Sequence, residues 1–228
     1  MTTKNIKVKT MTVAQPLYNL YPFLEGKTRS SDVLDQSLLE SVLQKAAESR
    51  EVQKKYFERY GATLVAAARA LAQVYRNGGR LLAMGNGGSS CDAAHIAIEF
   101  IHPIGVGKPS LEAINLSLDS TAITAISNDF GFDQVFARQL LANGREGDAI
   151  IGLSTSGNSK NVLGGFAQAK KMGMVTIALV GGKGGKMATS PDVDYCLIVE
   201  NTSIHRVQES HLPTYHILWD LVHTILAG

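Results

Sequence analysis

From Arg80 to the C-terminus, short apolar runs alternate with helical patterns, and this alternation constrains the fold more than any other feature of the chain. Arg80–Met84, Leu111–Leu116, Asp148–Leu153, Met174–Val180 and Asp194–Val199 read as strands. Between and after them, Asp92–Ile101, Ser120–Ser127, Phe132–Asn143, Asn158–Met172 and Ser203–Ala227 carry helical spacing. Parallel neighbours need a crossover of a dozen or more residues, usually a helix, so this order implies βαβ units and a parallel sheet. The expected fold is α/β: a doubly wound five-stranded parallel sheet of flavodoxin type, with ligands at the carboxyl ends of the strands.

The segment before the sheet reads as helices. Ser31 or Asp32 is a suitable N-cap, and Leu34, Leu38, Leu39, Val42 and Leu43 recur at helical spacing. We expect one helix to about Tyr60, an interruption at Gly61, and a second helix over Ala62–Arg76, stopped by Asn77-Gly78-Gly79. Residues 1–30 are punctuated by Pro16, Pro22 and Gly26 but contain Leu17, Tyr18, Leu20, Tyr21, Phe23 and Leu24. A tail and a segment packed on a neighbouring subunit both fit them. The expected organisation is an N-terminal tail over 1–30 and a single domain, added helices included, over 31–228.

Two strand–loop–helix units share a style. Gly85-Asn86-Gly87-Gly88-Ser89-Ser90 follows the first strand, and Gly152-Leu153-Ser154-Thr155-Ser156-Gly157-Asn158-Ser159 follows the third. A helix N-terminus offers unpaired N–H groups and the positive end of its dipole, and the hydroxyls at 154, 155, 156 and 159 add donors without charge. The second loop therefore suits a phosphate. Neither loop is a Walker loop, and Ser90 stands where a dinucleotide fingerprint needs its third glycine. Gly181-Gly182-Lys183-Gly184-Gly185 reads as a flexible strand-to-helix turn.

On the helix after the first loop, His95 and Glu99 lie four apart and so on one face. The pair can share a metal or exchange protons, although spacing alone fits a surface interaction as well. The last helix holds Gln208 and His216 on a broad common face, His211 and His223 besides, and Pro213, which removes one backbone hydrogen bond and is a point where the helix can bend.

A net charge of +2 over 228 residues gives no ground for a nucleic-acid or membrane-surface partner. Cys91 and Cys196 form neither a disulfide framework nor a metal pair. No run approaches the roughly 18 apolar residues of a membrane span, and the lysines at 4, 7 and 9 precede no signal-like segment. A cytoplasmic protein is the expectation.

Taken together, Gly85-Asn86-Gly87-Gly88-Ser89, Asp92, His95 with Glu99, Asn128-Asp129-Phe130-Gly131-Phe132, Gly144 to Asp148, Ser154 to Ser159, Gly184 to Met187, Arg206 with Gln208-Glu209, and His216 resemble the phosphoheptose isomerase (sedoheptulose-7-phosphate isomerase) family, whose members carry a sugar-isomerase (SIS) domain. The resemblance runs from about residue 32 to the end. It implies an isomerase that converts D-sedoheptulose 7-phosphate to D-glycero-D-manno-heptose 7-phosphate through an enediol, towards activated heptose for lipopolysaccharide or capsule. It implies a homotetramer with active sites at subunit interfaces, Glu99 and His216 coming from different subunits. By the same resemblance Ser154, Thr155, Ser156 and Ser159 bind the phosphate, while Asn86, Gly87, Gly88, Ser89, Asn128, Asp129 and Gln208 hold the rest of the sugar. Glu99 and His216 are the acid/base pair, and His95, Glu99, Gln208 and His216 are zinc ligands. Glu99 stands in both sets. One departure is visible: after the His/Glu helix the family commonly has an arginine near the substrate, where this chain has Ile101 to Gly107. Either His102 or Lys108 takes its place, or the sugar phosphate differs. The alternative is a non-catalytic SIS protein, a replication-initiator-binding regulator or a sugar-phosphate sensor, which has no need of Glu99 and His216.

Overall fold

The computed structural model describes residues 31–105 and 107–228, so both readings of residues 1–30 lie outside the described residues. Among the described residues the chain divides into two units between Ala47 and Glu48. One helix, α1, runs over Ser31–Arg76. The expected break at Gly61 does not occur. Glycine in a helix costs about 1 kcal/mol against alanine, and Leu64, Ala67, Ala68, Leu71 and Ala72, all buried just beyond it, outweigh that.

The remaining elements are β1 (Leu81–Gly85), α2 (Gly88–Ile101), β2 (Ala113–Asn115), α3 (Ser120–Phe130), a 3₁₀ turn (Phe132–Gln134), α4 (Val135–Asn143), β3 (Ala149–Ser154), α5 (Lys160–Lys171), β4 (Val175–Gly181), a 3₁₀ turn (Gly185–Thr189), β5 (Tyr195–Val199) and α6 (Ile204–Ala227). The five strands form one all-parallel sheet in the order β2-β1-β3-β4-β5. The expected doubly wound sheet is therefore present. Its strand order reverses at β1 and β3, so the loops after these two strands flank the switch point where such sheets bind ligands.

Alternation along the strands sorts the core into two layers. Leu81, Ala83, Ile151, Leu153, Ile177, Leu179, Leu197 and Val199 face the C-terminal half of α1 together with α2 and α6. Leu82, Met84, Ile150, Ala178 and Val180 face α4 and α5, packing on Phe136, Leu140 and Phe166. Below the sheet, buried Arg80 pairs with Asp148 and Glu112, its Nη1 2.8 Å from Glu112 Oε1, tying the amino ends of β1 and β3 together. This fastening leaves the carboxyl ends free to carry loops.

Candidate active site

The loop after β3 starts at Ser154, buried at the strand's last position. Ser154 Oγ lies 2.9 Å from Ser159 Oγ and 3.5 Å from Ser156 Oγ, which gathers the hydroxyls over the start of α5. Ser159 is the N-cap residue of α5, yet its side chain makes no capping bond. In contrast, Asp119 caps α3 by accepting from Ala122 N at 2.9 Å, and Ser203 caps α6 by accepting from Arg206 N. In the first turn of α5 Val162 N donates instead to Asn161 Oδ1 at 3.0 Å, and the Ser159 hydroxyl stays with the hydroxyl cluster beside the positive end of the helix, a setting that suits an anion.

The glycine turn at 181–185, read from sequence as a flexible turn, shores this loop up. Met187 N donates to Gly157 O and Lys186 N to Asn158 Oδ1 at 3.0 Å. Gly157 has φ +64°, and a Cβ there would lie 2.9 Å from Gly185 N and nearer still to the Gly184 carbonyl. Only glycine fits both the backbone conformation and the close approach.

The loop after β1 joins the same end of the sheet through Asn86. Its side-chain amide pairs reciprocally with that of buried Asn161 on α5, both bonds 2.8 Å. Asn161 was not among the residues singled out from sequence, where it reads as an ordinary polar position in the first turn of a helix. Helix α2 begins at Gly88, earlier than expected, so Gly88 and Ser89 belong to its first turn, with Gly87 at φ +56° before them. The carboxamide of Gln208 on α6 lies against Gly88. Asn128 and Asp129 close the C-terminal turn of α3, where Asn128 Nδ2 donates to Asp129 Oδ1 at 2.8 Å, and both are exposed.

Helices α2 and α6 bring together the groups able to do chemistry. His95 Nε2 lies 3.0 Å from Glu99 Oε1 and 3.5 Å from His216 Nε2, and His216 Nε2 lies 3.9 Å from Glu99 Oε1. All three belong to one chain. The expectation that Glu99 and His216 come from different subunits is thus corrected: packing of α2 on α6 within a single chain suffices. Among the described residues this is the one group of three His, Cys, Asp or Glu side chains able to hold a metal ion, with the ligand atoms within 4.8 Å of one another. Imidazole and carboxylate donors suit zinc, so the residues fit a zinc ion.

Behind His95 stands Tyr215, whose Oη is 3.0 Å from His95 Nδ1 and donates to Asp92 Oδ1 at 3.5 Å. Burial, and then the Asp92 charge, raise the Tyr215 pKa, so it stays a phenol. Burial also raises Asp92. The other histidines of α6 do different work. His223 meets the Pro109 and Trp219 carbonyls at 3.1 and 2.9 Å. His211 is fully buried, and burial pushes its pKa down to about 4 against a weaker upward pull from the Val180 backbone. Pro213 leaves α6 continuous, and the Glu209 carbonyl it frees accepts from Gln53 Nε2 at 3.0 Å. Lys108, one of two residues weighed for the missing arginine, is held by Asp220 at 2.7 Å and lies over the Trp219 ring.

Comparison with known proteins places the chain in a family. The SIS domain family model matches residues 46–181. The phosphoheptose isomerase of Sulfurimonas denitrificans is 46% identical over 155 residues, which cover 68% of this chain and 78% of that one. That of Pelodictyon phaeoclathratiforme is 43% identical over 189 residues, 82% of this chain and 89% of its own. The solved structure of phosphoheptose isomerase from Neisseria gonorrhoeae superposes with a TM-score of 0.76 at 38% identity, covering 82% of this chain and 99% of that chain. Sequence and fold thus agree, and the chain belongs to the SIS-domain family, among the phosphoheptose isomerases.

Proposed function

We propose that the chain is an aldose–ketose isomerase that converts D-sedoheptulose 7-phosphate to D-glycero-D-manno-heptose 7-phosphate. One observation carries this reading. Glu99 and His216, the pair that a non-catalytic SIS protein has no need of, meet 3.9 Å apart, on helices whose N-terminal residues Gly88 and Gln208 touch each other at the sheet's ligand end. The named relatives are phosphoheptose isomerases.

The chemistry follows from the residue types. Taking the ketose to the aldose removes a proton from C1, returns one to C2, and shifts the hydroxyl proton from O1 to O2. Glu99 carries the carbon proton, and His216 serves the oxygens. Ser154, Thr155, Ser156 and Ser159 anchor the phosphate, so binding energy from the far end of the open chain orients the reacting end. Asn86, Gly87, Gly88, Ser89, Asn128, Asp129 and Gln208 line the path between. A zinc ion held by His95, Glu99 and His216, with Gln208 as a fourth ligand, would supply Lewis acidity at the substrate oxygens. Ligand and base are then alternating roles for Glu99. The same reading includes a cytoplasmic homotetramer whose product feeds heptose activation for lipopolysaccharide or capsule. No helix among the described residues is long and apolar enough to cross a membrane.

The test is a panel of five- to seven-carbon ketose phosphates with the wild type, Glu99→Gln and His216→Asn. Wild-type turnover of the seven-carbon substrate, lost in both variants, is expected. Full turnover in either variant would remove its residue from the acid/base pair. Binding of sugar phosphate without turnover by the wild type would favour a binding protein.

A further inference from the structure

The two ligand loops meet at a residue to which the proposed reaction gives no part. Asn161, in the first turn of α5, is 2% exposed, and its carboxamide makes three hydrogen bonds. Oδ1 accepts from Val162 N at 3.0 Å and from Asn86 Nδ2 at 2.8 Å, while Nδ2 donates to Asn86 Oδ1 at 2.8 Å.

We infer that Asn161 is a positioning residue: it fixes which end of the Asn86 carboxamide is left for the sugar, and it frees Ser159 for the phosphate. The backbone settles the orientation of both amides. Val162 N–H can only donate, so the Asn161 atom beside it is the oxygen. Asn86 must then answer with its nitrogen to that oxygen and its oxygen to the Asn161 nitrogen. Turned the other way, Asn86 would set oxygen against oxygen and nitrogen against nitrogen. One N–H of Asn86 is held in the pair, and the second is the donor that remains for a sugar hydroxyl. The same Oδ1 takes up an amide of the first turn of α5. Ser159, at the N-cap position, therefore keeps its hydroxyl 2.9 Å from Ser154 Oγ instead of capping the helix. One buried side chain thus sets the loop after β1 against the start of α5. The assignment rests on the proposed function for the identity of the sugar phosphate, but the amide pair itself can be read without substrate.

Asn161→Asp makes the test. Its Oδ1 still accepts from Val162 N and Asn86 Nδ2, and a carboxylate suits the first turn of a helix, so the fold should survive. Its other oxygen faces Asn86 Oδ1 and repels it until a proton is taken up. The carboxylic acid then donates to Asn86 Oδ1 and restores the reciprocal pair. With sedoheptulose 7-phosphate at neutral pH, KM should rise about tenfold over wild type while kcat stays close to it, the loss expected for one hydrogen bond made equally in ground and transition state. As pH falls through the titration of the new carboxyl, located by its carbon-13 shift, the ratio of variant to wild-type KM should return towards one. Asn161→Ala should raise KM with a ratio that acid does not restore. A merely structural role gives no reason for recovery confined to the aspartate variant. Proton–nitrogen spectra of asparagine-labelled full chain without substrate give a second reading. The Asn86 amide should show one hydrogen-bonded proton in the wild type, lose that signature in Asn161→Asp at neutral pH, and regain it in acid. A KM ratio unchanged across the titration, or a wild-type Asn86 amide with no bonded proton, overturns the inference. If Asn161→Asp does not fold, or unfolds before the carboxyl titrates, Asn86→Ala, Asn161→Ala and their double variant decide, and KM effects that simply add would overturn it. The amide signature with acid recovery, but no turnover by the wild type, would overturn the proposed function and leave the amide pair standing.

Discussion

Adding one methyl group at Gly88 should damage the site without damaging the fold. Gly88 lies in the first turn of α2 and is not among the glycines with positive φ, so alanine suits its backbone. A Cβ there would lie 3.2 Å from Gln208 Cδ, 3.3 Å from Oε1, and well inside 3.0 Å of Nε2, whereas ordinary contact begins at 3.4 Å. The obstacle is the end of a flexible side chain, so the amide of Gln208 gives way rather than the backbone. A withdrawal of about 1 Å is enough to cost up to about 100-fold in rate when the displaced group is part of a reacting constellation. That corresponds to about 3 kcal/mol of transition-state stabilisation. The fold pays little: alanine gains up to about 1 kcal/mol of helix propensity over glycine, and a strained Gln208 rotamer costs about as much. The melting temperature should therefore move by no more than about 4 °C. Steady-state turnover of sedoheptulose 7-phosphate and a thermal melt, run on wild type, Gly88→Ala, Gln208→Ala and the double variant, complete the test. The double variant should be no slower than Gln208→Ala, because both changes act on one group. Turnover of Gly88→Ala within twofold of wild type, or additive losses in the double variant, would refute the argument that Gly88 keeps space for Gln208.

Three further outcomes follow from the structure. His211 stays neutral in the fold with its pKa pushed from 6.5 down to about 4, so between those values the unfolded chain binds more protons than the folded one. Its contribution makes stability fall as pH drops from about 6.5 towards 4, by about 3 kcal/mol in all. Denaturant midpoints of His211→Leu should lose correspondingly less than wild type between pH 7 and pH 4.5, and parallel losses would exclude it; Asp92, common to both proteins, cancels. Asn161→Ala breaks the paired amides that join the two ligand loops and leaves Asn86 without that partner, which should cost about 1–3 kcal/mol in denaturant stability and raise KM, and an unchanged KM would sever the link to the site. Purified without chelator, the wild type should carry zinc and His95→Ala should lose it, as read by metal analysis; equal zinc contents would move the metal elsewhere.

The sheet was legible because its signal is local. Apolar runs such as Ile150-Ile151 and Ile177-Ala178-Leu179 are bounded by turn residues and separated by helical periodicity, and all five strands appear within a few residues of their expected bounds. Gly61 misled because glycine's local cost was weighed without the packing that repays it. The pairing of His95 with Glu99 is also local, a matter of helical spacing. Their meeting with His216 is not: 117 residues separate Glu99 from His216, and only the resemblance grouped them. The assignment of that pair to different subunits failed for the same reason, since nothing local shows how α6 packs on α2. Asn161 and Tyr215 were invisible because each matters through one distant partner, Asn86 and His95 respectively. The hydroxyl loop stood out in sequence, but its support by the 181–185 turn depends on a contact that only the folded sheet creates.

The account stands most directly on one measurement: the product formed when purified wild type and Glu99→Gln are each incubated with sedoheptulose 7-phosphate. It predicts D-glycero-D-manno-heptose 7-phosphate from the wild type and none above background from Glu99→Gln, with both proteins equally folded. Aldose formation at the wild-type rate by Glu99→Gln, or none by the wild type, would contradict it.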